Sequence, residues 1–169
     1  MNLKTFYHYL TLVRRDLWAF LENLPDDVLS KNMIPAERFH SIKDLLMHIA
    51  AVEDSWIHED ILRDTPVWQS ALPETLQQDG AFFADTPLET ILLYSKAVEQ
   101  STLAFLEGLQ PSEFERIVEE ERSVEGLLWH VMQHEVRHTA QIVLLIRQQG
   151  FKPPALDLLW YLPLKENHV

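Results

Sequence analysis

The sequence predicts an all-α fold: a four-helix bundle with long connections and a short packed C-terminal tail, in one domain spanning residues 1–169. Three observations predict it. Four long segments repeat apolar residues at steps of three and four, the spacing of one helix face. Capping and stop residues bracket those segments. No stretch carries a strand signal of any strength, and there is no internal repeat or low-complexity run.

The first helix is expected from Leu3 to Leu24, on the stripe Phe6, Leu10, Val13, Leu17, Leu21 and Leu24, and Pro25 ends it. From Pro25 to His40 the pattern breaks around Pro35, leaving at most a short helical turn at Asp26 to Ser30. Ser41 with Asp44 makes a variant capping box and opens a second helix that runs to about Leu62 on Ile42, Leu45, Ile49, Val52 and Trp56. Arg63 to Asp85 mixes Pro66, Pro73 and Gly80 with Trp68, Leu72, Phe82 and Phe83, which predicts a packed loop. Thr86-Pro87-Leu88-Glu89 starts a third helix to about Leu109, with Leu88, Ile91, Ser95, Val98, Thr102, Phe105 and Leu109 inward. Pro111 to Arg122 crosses over, its Glu-Glu-Glu-Arg run reading as solvated surface. Ser123 caps a fourth helix, Val124 to Gln149, stopped by Gly150 and Pro153-Pro154. The tail from Phe151 to Leu164 is apolar and bounded by prolines, so it should pack on the bundle as an extended stretch and short helix, or help form a subunit contact.

Composition narrows the function. A chain of 169 residues that is 47% hydrophobic suits one domain with a sizeable core. The absence of cysteine excludes disulfides, thiolate zinc sites and a cysteine nucleophile, so metal ligands must be nitrogen or oxygen. A net charge of −12 spread along the chain disfavours nucleic acid and anionic membranes. No apolar run approaches the ~18 residues of a membrane span, and the first residues lack a clean leader pattern. The expected setting is cytoplasmic.

The chemistry concentrates in the fourth helix, which carries three of the eight histidines at four-residue steps: His130, His134 and His138. A four-residue step advances a helix by only about 40°, so these imidazoles share a stripe with Leu127, Gln141 and Leu145 that faces inward. One such pair is a weak signal, and a lone histidine on an apolar face is ordinarily a hydrogen-bonded core residue. A third ligand changes that balance. His48 lies at the edge of the second helix's core stripe, where a side chain faces both core and cavity, and bundle metal sites are built from facing helices. Three imidazoles and a divalent cation leave at least one open position, which is the coordination of a catalytic rather than a structural site.

Glu53 lies on the apolar side one turn beyond His48; it either snorkels to solvent or hydrogen-bonds an imidazole or a substrate. His134-Glu135-Val136-Arg137-His138 also spells H-E-x-x-H, the zincin protease signature. No further histidine follows at the required spacing and no active-site strand exists, so the zincin reading fails. Glu135 remains a candidate general base, although an exposed glutamate is the simpler expectation.

The stretch Ser41 to Ala50, with His48, and the run His134, His138, Gln141 resemble the DinB-like (DinB/YfiT) family of metal-binding four-helix bundles. The resemblance covers nearly the whole chain, including the Pro-Pro-Ala-Leu-Asp-Leu-Leu tail, and departs where Thr139-Ala140 replaces Arg-Gly. It implies a divalent metal, nickel or zinc, on His48, His134 and His138, with His130 in the pocket, and a homodimer. It also implies thiol-dependent S-transfer, isomerisation or hydrolysis.

The expected function is a metal-dependent enzyme activating a small thiol or water, of S-transferase or hydrolase type, with a small-molecule substrate. Without cysteine, the thiol would be a low-molecular-weight cofactor. The pocket would be bordered by His130, Gln141, Glu53 and the Trp68 loop. The alternative is a non-catalytic, metal-stabilised, stress-associated dimer, and the blandest reading is a helical interaction domain with incidental histidines.

Overall fold

A computed structural model describes residues 2–34, 39–77, 83–119 and 121–161; the expectations for Pro35, Gly80, Phe82 and residues 162–164 lie outside the described residues. Helix α1 (Leu3–Leu21) starts at Asn2, whose side chain accepts from the Thr5 N–H at 2.9 Å. It stops before the expected Leu24, which instead packs against the core from the turn that follows. A short α2 (Asp26–Ser30) fills the connection, as expected.

Helix α3 (Ile42–Asp54) opens on the expected capping box: Ser41 Oγ accepts from the Asp44 N–H at 3.1 Å, and Asp44 Oδ2 accepts from the Ser41 N–H at 3.0 Å. The same carboxylate also takes the His40 N–H at 3.1 Å and the Phe83 N–H at 2.8 Å, so one aspartate fixes the helix start and both chain segments beside it. The helix then continues to Leu62, but Ser55–Leu62 is wound as a π-helix that ends at Arg63 in a left-handed conformation, φ 57°. Periodicity foresaw the length of this element and not its change of winding.

The 63–85 connection is packed, as expected. It carries α4 (Trp68–Ala71) and is clamped by Asp54, which accepts the Val67 N–H at 2.9 Å, the Trp68 N–H at 2.8 Å and the Tyr94 hydroxyl at 2.8 Å. Helix α5 (Leu88–Gly108) follows Pro87, with no side-chain cap from Thr86. Before the fourth long helix, Ile117–Glu119 (β1) and Arg122–Ser123 (β2) pair antiparallel, a hairpin too short to leave any alternation in the sequence. Helix α6 (Val124–Gln148) begins where Ser123 Oγ accepts from the Gly126 N–H at 3.1 Å, and Gly150, at φ 86°, supplies the left-handed residue that ends it. The tail crosses α1, where the Tyr9 hydroxyl donates to the Leu156 carbonyl at 2.7 Å, and finishes in α7 (Leu158–Tyr161), whose Tyr161 hydroxyl donates to Asp16 at 2.6 Å.

The fold is all-α, with α3 packed against both α5 and α6. Its apolar core falls into two parts. Leu17, Leu21, Leu45, Ile91 and Ile142 belong to one; Leu3, Leu10, Ile57, Leu106 and Leu127 belong to the other. Arg14 lies in sequence between the α1 residues of the two parts and is itself buried. Among the described residues no helix is long and apolar enough to cross a membrane.

Candidate metal centre

Packing of α3 against α6 brings His48 to His134 and His138. The ligand atoms that these three residues offer all lie within 4.8 Å of one another, and among the described residues no other group of three or more His, Cys, Asp or Glu has this arrangement. His48 Nε2 and His134 Nε2 are 2.9 Å apart, and the ring centroids are separated by 4.3 to 4.8 Å. His134 and His138 are buried, while His48 is half-buried at the edge position its sequence register implied.

Each ring is held by a neighbour. The Phe39 ring stacks on His48 with centroids 3.8 Å apart and planes 24° from parallel. Phe39 directly precedes His40, whose backbone is tied to Asp44, so the cap that starts α3 also places the aromatic face against the ligand. His138 Nδ1 donates to Gln141 Oε1 at 2.6 Å. That bond fixes the tautomer and turns Nε2 toward the centre, the orienting role that metal-bound histidines require of a neighbour.

The electrostatics favour neutral rings. Burial, followed by the nearby His138, His48 and Arg137, lowers the pKa of His134 to about 3. Burial also lowers that of His138; the Gln141 hydrogen bond partly offsets this and Arg137 adds to it. A neutral imidazole is the form that binds a metal, so His134 and His138 fit a divalent cation without prior loss of a proton. Nitrogen-only ligation suits zinc, nickel, copper and iron alike.

The expected pocket residues divide. Gln141 touches the centre through His138. His130 is exposed at its rim, with its ring 6.2 Å from that of His134 and 5.5 Å from that of Trp56. Trp68 is engaged elsewhere, its N–H on Asp54 and its ring against the core. Glu53 and Glu135 correct their expectations. Neither reaches solvent: both are 2% exposed. Arg14 Nε and Nη2 donate to the two Glu135 oxygens at 2.7 and 2.6 Å, and Nη2 also donates to Glu53 Oε2 at 2.5 Å. Nη1 donates to the Tyr7 hydroxyl oxygen at 3.1 Å and to Glu99 Oε2 at 3.4 Å, while the Tyr7 hydroxyl donates to Glu53. Glu53 therefore serves neither an imidazole nor the solvent, and Glu135 is committed to a bidentate ion pair. Both sit on the inward faces of their helices because a buried guanidinium requires them there.

Sequence reasoning missed Phe39, Arg14 and Glu99. Phe39 lies in an aperiodic connection that carries no signal. Arg14 did leave one: Tyr7, Leu10, Arg14, Leu17 and Leu21 form an unbroken a/d stripe, and an arginine within such a stripe calls for carboxylates on the facing helices.

Helical bundle and three-imidazole centre together make a bundle protein with a cluster on two of its helices that could hold a metal ion. The DinB family model matches residues 1–168, essentially the whole chain, and the chain belongs to the DinB family. Curated proteins yield no match to it.

Proposed function

We propose that this protein is a divalent-metal enzyme in which His48, His134 and His138 hold nickel or zinc and present it to a small thiol or water, giving S-transfer or hydrolysis. The observation that carries this reading is the convergence of three imidazoles from two helices, with no fourth His, Cys, Asp or Glu in the group among the described residues. Such an ion supplies Lewis acidity, lowering the pKa of a bound water toward about 7 or deprotonating a thiol. The chain's own groups do the positioning: Phe39 holds the His48 face and Gln141 selects the His138 tautomer. The lack of cysteine means that any thiol is a separate small molecule.

The test is elemental analysis of untagged protein beside His48→Ala, followed by thiol conjugation to a generic electrophile. One metal per chain, lost in the variant, with turnover, is the expected result; no metal in either protein would remove the reading. Metal without turnover would favour the second reading, a non-catalytic dimer in which the ion fastens α3 to α6. That reading draws on the same observation, since the donors come from separate helices.

A further inference from the structure

Arg137 immediately precedes His138 on α6 and is exposed, yet its guanidinium turns back toward the centre: Nη2 lies 3.5 Å from His138 Nε2. This is the nitrogen left for a metal once Gln141 has taken Nδ1. Among the described residues no carboxylate stands within ion-pair distance of Arg137, in contrast to Arg14 and Lys43, which are each paired.

Among the described residues this guanidinium has no carboxylate to answer it, and a divalent ion on the neighbouring imidazoles would add two further positive charges. In a chain of net charge −12 this makes one local positive site. A single planar guanidinium fork matches the two oxygens of one carboxylate.

Building on the metal-centre reading, we infer that Arg137 forms an anion subsite at the mouth of the centre, taking the carboxylate of a small ligand whose second donor reaches the ion. The substrate or thiol class is thereby narrowed to small carboxylate-bearing molecules. Arg137 binds the ligand and takes no proton.

Cobalt(II)-loaded protein tests this through its visible absorption, which reports ligand binding without turnover. Wild type, Arg137→Gln and Arg137→Lys are titrated with 3-mercaptopropionate and with the uncharged 2-mercaptoethanol, and cobalt content is measured for each. Arg137→Gln should weaken 3-mercaptopropionate binding by about tenfold and leave 2-mercaptoethanol within about twofold, with Arg137→Lys between. Added salt should erode the preference in wild type. An unchanged ratio between the two thiols would overturn the subsite while leaving the metal centre standing. Loss of cobalt from Arg137→Gln would also overturn it, by making Arg137 a support of the centre. No cobalt in wild type would remove the metal reading itself, and the subsite with it.

Discussion

His48 and Glu53 share α3, and His134 and Glu135 are neighbours on α6, but the two pairs live in different electrostatic settings. The imidazoles come together on facing helices, and Arg137 stands at their exposed side. The carboxylates close around Arg14, which is buried and held by Glu53, Glu135 and, more distantly, Glu99. A small cavity of about 20 Å³ lies beside that cluster, lined by Arg14, Glu53, Ser95, Glu135 and Thr139 among others, with room for about one water. The contrast teaches how to read polar residues on a core stripe. Carboxylates gathered on a buried guanidinium belong to architecture, and imidazoles whose ligand atoms converge on one point belong to chemistry.

The largest test of that division is Arg14→Met. It leaves buried carboxylates without their cation and should cost about 3–5 kcal/mol of stability by urea denaturation, while metal content per folded chain stays unchanged. Metal lost in step with stability would merge the two regions into one. Next comes Gln141→Leu, which removes the acceptor for His138 Nδ1 at an exposed position. Metal affinity, measured by chelator competition, should fall about 10- to 100-fold, with the unfolding midpoint of metal-free protein unmoved.

The smallest effect is expected at Glu99. Burial, opposed by Arg14 and reinforced by Glu53, raises its pKa above the ordinary 4.5. A raised carboxyl pKa contributes stability in full below the unfolded value and loses it as pH rises through the folded one. Glu99→Gln carries no such titration, so relative to wild type it should gain about 1 kcal/mol or less as pH is raised from about 4.5 toward neutrality. A variant that instead loses ground over that range would show Glu99 to be an essential partner of Arg14.

Much of this was legible in the residues. The four long helices, their capping box at Ser41, the stop at Gly150 and the meeting of His48 with His134 and His138 all follow from spacing and local chemistry. What escaped depends on tertiary contact. Thr86 reads as a cap, yet the helix starts after Pro87 with no side-chain cap. Glu135 reads as exposed in an H-E-x-x-H run, because one residue's wheel angle cannot show that α1 brings a guanidinium to meet it. The β1–β2 hairpin is shorter than any period that could announce it.

The π-wound stretch from Ser55 to Leu62 follows directly on Asp54, which clamps the 63–85 connection, and it carries Ile57 and Ile61 into the second part of the core. A π turn reaches i→i+5 where an α turn reaches i→i+4, so it takes up surplus chain without breaking the helix. That winding lies wholly downstream of His48 and Glu53, so both stand on the regularly wound part of the helix, and the surplus chain is taken up between them and the left-handed Arg63.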